Sequence, residues 1–173
     1  MTFTFESAIE EAQNLLDTHA AGTLSEAEMI ARTKALLETE AGARGFFVVF
    51  LTGDSSLADQ PPDWLLSLFA QGPDLVAELL VKNLAMSTAT ALAHAAQGNP
   101  EQADGSRQVA QRTTAILKAL RHPPFGPVSA LEQKTVAMLE TLNQEHGPYR
   151  SFLDRWGYDS NQRQAISHAF EKV

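Results

Sequence analysis

Apolar positions recur along this chain with a helical period. Val109, Thr113, Ile116, Leu117 and Leu120 follow the i, i+4, i+7, i+8, i+11 spacing of one helix face, and Leu131, Thr135, Met138, Leu139 and Leu142 repeat it. Start signals precede such runs. "SAIE" at Ser7, "SEAE" at Ser25 and "SALE" at Ser129 each set a glutamate three residues after a serine, which is the spacing of a capping box. They predict helices at about 7–19, 25–38 and 129–146, the last ending at Gly147-Pro148. Pro62 precedes "DWLLSLFAQ" and Gly72 ends it; Pro73 opens a run to about residue 97. Asn99-Pro100 starts another run to about 121, since proline fits a first helical turn whose amides lack partners. Asp159 or Ser160 caps a last helix reaching residue 172. The pattern predicts one all-α domain over residues 1–173. Seven or eight helices surround a buried central helix at about 74–97, which is hairpinned to 100–121.

One stretch has no period. "GFFVVFLTGDSS", residues 45–56, runs six apolar residues into a turn. Phe and Val favour a strand. A strand here has only Thr2–Phe5 as a partner, and a two-stranded sheet alone is marginal. A short buried helix satisfies its own backbone and is preferred, with Gly53 and Asp54 forming the turn. The Gly-Asp-Ser at 53–55 resembles the first block of GDSL-type esterases. That resemblance implies a parallel sheet, Ser55 as nucleophile and a late Asp-x-x-His. The other segments read as helices and no Asp-x-x-His occurs, so the base that a serine hydroxyl requires is missing.

The central segment, "DLVAELLVKNLAMSTATALAHAAQG", is apolar on most sides. Asn83, Ser87, Thr90 and His94 break it at i, i+4, i+7 and i+11, within about 60° on the helical wheel. Such polar groups form either a satisfied network within the core or the lining of a ligand pocket, with His94 as its titratable member.

Charge then adds a surface. The chain carries a formal −8, unevenly placed. Residues 1–80 hold thirteen acids against Arg32, Lys34 and Arg44, a balance of −10, whereas residues 81–173 hold eight acids and ten bases, +2. Overall acidity argues against nucleic acid as a partner. No acid occurs between Asp104 and Glu132, while Arg107, Arg112, Lys118 and Arg121 do. These four, with Phe125 in the stiff loop "RHPPFGPVS", make a candidate docking strip for an acidic protein partner or a second copy. "YRSFLDRWGYD" gathers Tyr149, Phe152, Trp156 and Tyr158 as an interface or a core corner.

Catalytic chemistry does not assemble. Cysteine is absent, and the five histidines form neither His-x-x-x-His nor Glu-x-x-His, so no metal or cofactor site is expected. No phosphate loop or dinucleotide fingerprint is present. No signal peptide shows, and no apolar run is expected to reach the roughly 20 residues of a membrane span, so a cytoplasmic location follows by elimination. The expectation is a non-catalytic helical interaction or regulatory protein; the alternative is a small-molecule binder using the polar stripe.

Overall fold

A computed structural model describes residues 2–173. The described residues form ten helices: α1 (Phe5–Ala20), α2 (Glu26–Leu37), α3 (Glu40–Thr52), α4 (Ser56–Asp59), α5 (Asp63–Gln71), α6 (Asp74–Ala96), α7 (Pro100–Arg121), α8 (Ser129–Gln144), α9 (Arg150–Arg155) and α10 (Ser160–Glu171). No strand occurs among the described residues, so the all-α reading holds. The sequence pattern predicts seven or eight helices and has no counterpart for the short α4 and α9, which lack the length to show a period.

Capping explains several boundaries. Ser25 caps α2 with Glu28 in a full capping box, and Asp159 does the same for α10 with Gln162. Two expected caps are corrected. The first helix is capped by Thr4, and Ser7 is the reciprocal partner in its box. Ser129 lies inside α8, where Val128 is the cap and no side chain supplies the bond. Between α6 and α7, Gly98 adopts φ 75°. The Asn99 amide reaches back to His94 O at 2.9 Å, the crossed closure that a left-handed glycine permits.

The chain divides into two compact units, Met1–Leu79 and Leu80–Val173. In the first, α3 is buried along nearly all of its surface. Arg44, Val48 and Thr52 are exposed at i, i+4, i+8, while Phe46, Phe47, Phe50 and Leu51 are buried. This resolves the 46–51 stretch as helix. Its rings form a cluster with Phe69 of α5: Phe46 stacks on Phe50 at 5.2 Å, and Phe47 lies 5.4 Å from Phe69. α1 crosses α3 closely because Gly45 has no side chain; a Cβ there would lie 2.6 Å from Ala8 Cβ. Arg32 of α2 reaches Glu11 of α1 at 2.7 Å, half-buried.

The second unit comprises α6 from Leu80 onward with α7–α10. Its core gathers Leu80, Val81, Leu84, Ile116, Leu117, Leu120, Leu131, Met138, Leu153, Ile166 and Phe170. Gln162 Nε2 donates to Ala89 O at 3.0 Å, which pins the start of α10 against α6. The aromatic end is mostly a core corner. Tyr149 and Tyr158 are buried, Phe152 meets both edge-on, and Lys82 Nζ lies 5.6 Å from the Phe152 ring centre. Trp156 alone turns outward, 54% exposed. Beside it, hydrogen bonds from Arg150 and then Arg163 hold the Asp154 carboxyl below the usual carboxylate range.

α6 also corrects an expectation. It has 23 residues and an 18-residue window of mean hydropathy 1.3, so by length and composition alone it could cross a bilayer. Half of that window is buried inside the protein.

Burial pushes the Tyr158 phenol up to about 12. An unfolded phenol ionises near pH 10, so the folded chain keeps this proton where the unfolded chain releases it. The resulting stability is whole below about pH 10 and is lost as pH rises toward 12. Tyr158→Phe should remove that alkaline decline, on the order of 2 kcal/mol at its far end. Urea titrations at stepped pH check this. Parallel declines in parent and variant would show that Tyr158 is not the group.

Candidate functional site

The second unit carries an open groove built from three helices. On α6, Leu84, Thr88, Ala91 and Ala95 fall at i, i+4, i+7 and i+11; on α7, Arg107, Gln111, Thr114 and Lys118 follow the same spacing. Each set therefore presents one face. α6 and α7 run antiparallel, so Ala95 shares an end with Arg107 and Leu84 shares an end with Lys118. α10 completes the walls with Ala165, Ala169 and Lys172.

The groove consists of two depressions, of about 300 and 450 Å³, which share Thr88, Ala110 and Gln111 and so run into one another. Its floor is largely alanine because alanine leaves space between helices that larger side chains would fill. Leu92, 42% exposed, stands at the Arg107 end. It also borders a third depression over α10, lined by Asn161, Gln164 and His168 among others.

Charge sits at the ends. At one end is Arg107, paired at 2.5 Å with Asp104 and half-exposed. At the other are Lys118 and Lys172, for which no ion-pair partner occurs among the described residues. From Arg107 to Lys118 is eleven residues, about 16 Å along the helix axis.

The expected docking strip is therefore only partly on this surface. Arg107 and Lys118 line the groove. Arg112 is corrected: it is 4% exposed and sits in the interior, because position 112 shares the inward face with Thr113 and Ile116. Arg121 is half-buried and already paired, its Nε 2.7 Å from Glu132 and its Nη1 donating to Val173 O. Phe125 is half-buried in its loop and is not part of the groove lining.

The polar stripe of α6 lies one residue round the helix, about 100°, from the groove face. Asn83, Ser87, Thr90 and His94 each immediately precede a groove residue. Ser87 is buried and donates to Asn83 O at 2.6 Å, spending its hydroxyl on its own helix. Asn83, Thr90 and His94 are half-buried, and the His94 Nδ1 is buried without a hydrogen-bond partner. Sequence reasoning missed Thr88, Gln111, Ala165 and Lys172. The small-residue spacing on α6 was visible, one position away from the polar one.

In the first unit, Ser55 caps α4, its Oγ accepting from Leu57 N at 3.3 Å. It lines a depression with Asp17, His19, Asp54 and Ser56, so a histidine from α1 comes near the Gly-Asp-Ser turn. No hydrogen bond joins His19 to either serine among the described residues. No group of three metal-ligating side chains occurs among the described residues.

The chain belongs to the family described as Uncharacterised conserved protein UCP020893, whose model matches residues 4–173. No curated protein and no solved structure matches the chain.

Proposed function

We propose that this chain is a non-catalytic interaction protein whose second unit docks a helix of a protein partner in the α6–α7–α10 groove. The observation that carries the reading is the groove itself: an apolar, alanine-floored trough, open along its length, with cations at both ends. Helix-in-groove recognition uses such troughs, with side chains of the incoming helix filling the spaces between the receiving helices. The exposed Leu92 adds an apolar contact at one end. Free lysines at the other steer an acidic partner toward it, which suits the +2 balance of this half of an otherwise acidic chain. A small-molecule site on the polar stripe draws less support, because Ser87 is already satisfied within its helix.

A photo-cross-linking residue at Gln111, inside the groove and exposed, tests this in cells; the same residue at exposed Val136 on α8 is the control. The expected outcome is one partner peptide captured at 111, absent at 136 and lost when Ala110→Trp fills the floor. Identical captures at the two positions would refute docking in the groove.

A further inference from the structure

Resting on that reading, we infer that the occupant is an amphipathic helix of a different protein bearing two acidic residues about three turns apart. One acid meets Arg107, the other Lys118 and Lys172, and aliphatic side chains fill the floor between them. The spacing comes from α7. Its two groove cations are eleven residues apart on one face, and a helix laid along α7 matches them only with acids at about the same separation. The polarity of the ends comes from charge. Lys118 and Lys172 line the same end without ion-pair partners among the described residues. Arg107 can exchange its exposed Asp104 for an incoming carboxylate at small cost, since such surface pairs are weak. The aliphatic middle comes from the floor, where Thr88, Ala91, Ala110 and Ala165 leave holes rather than knobs.

A second copy of this chain does not supply such a helix. Among the described residues the exposed large apolar side chains are Val48, Leu92, Val136 and Trp156, on different elements, and none forms a row along a helix. The negative first unit has the right charge but buries the apolar face of its acidic helix α1: Ala8, Ala12, Leu15 and Leu16. A free fatty acid fits less well, because an open trough leaves its chain half in water.

Fluorescence anisotropy with the full chain tests the inference. Three labelled helical peptides share one Leu/Ala face: the first has glutamates eleven apart, the second has them four apart, and the third has lysines eleven apart. The first should bind tightest, at least about tenfold over the others, and weaken as salt rises. The exposed-site variant Lys118→Glu/Lys172→Glu should lose the first peptide and gain the third. The second peptide binding as tightly as the first would overturn the spacing, and the third doing so would overturn the charge. If all three bind equally and Gln111→Trp blocks them, docking stands and the acidic register falls. If none binds while laurate does, or if the chain dimerises through a contact that the lysine variant breaks, both fall.

Discussion

Gly45→Val is expected to lower the stability of the first unit by at least about 3 kcal/mol, the upper part of the range for overpacking a close-packed core. A Cβ at this position would meet Ala8 Cβ at 2.6 Å and the Ala8 and Ile9 backbone at 2.9 Å. Two of those three atoms are backbone, so no rotamer change relieves the clash. α1 must move off α3, and the contacts of Ala12, Leu15 and Leu16 along the same face loosen with it. Urea denaturation gives the magnitude. Hydrogen exchange in Phe5–Ala20 gives the location, because the separated helix should lose protection first. A parent-like midpoint would mean that the two helices do not approach this closely.

Phe50→Ala should cost a similar amount, about 3–5 kcal/mol. Phe50 is fully buried, stacked on Phe46 at 5.2 Å and edge-on to Phe69 at 6.1 Å. Truncation removes the ring's transfer energy and leaves a cavity bordered by rigid neighbouring rings that cannot collapse into it. Phe50→Leu, keeping much of the volume, should recover more than half of the loss. Equal destabilisation by alanine and leucine would argue that ring stacking, not volume, dominates at this site.

These two positions also show how far the sequence could be read. Composition around Phe46–Leu51 suits a strand as well as a helix, and only the lack of a partner strand argued for helix. The decisive feature, the Arg44–Val48–Thr52 exposed face, is faint because Val48 is apolar yet 45% exposed. Gly45 gave no local sign of its role, since close approach depends on what α1 brings from 37 residues earlier. Caps and proline breaks were legible because their causes are local. The division at Leu79–Leu80 was not legible as structure, because it falls inside a continuous helix and no linker composition marks it. The charge shift from −10 to +2 at that position was its only trace.

The groove was half-legible for a related reason. A helical wheel finds aligned polar residues, but it cannot say which side faces a neighbour. Asn83, Ser87, Thr90 and His94 stand out by their chemistry, whereas Leu84, Thr88, Ala91 and Ala95 look like ordinary core. The arginines of α7 likewise share one residue type and have three fates: Arg107 at the surface, Arg112 in the interior and Arg121 tied to Glu132.

Alanine has no side-chain torsion to freeze. A floor made of it is already as ordered before contact as after, so the middle of the groove adds no disorder that association must remove. Binding strength here should therefore follow the stiffness of the visitor, rising as its helix is pre-formed by cross-linking or sequence, while on the receiving face only the long side chains of Arg107, Gln111, Lys118 and Lys172 lose freedom.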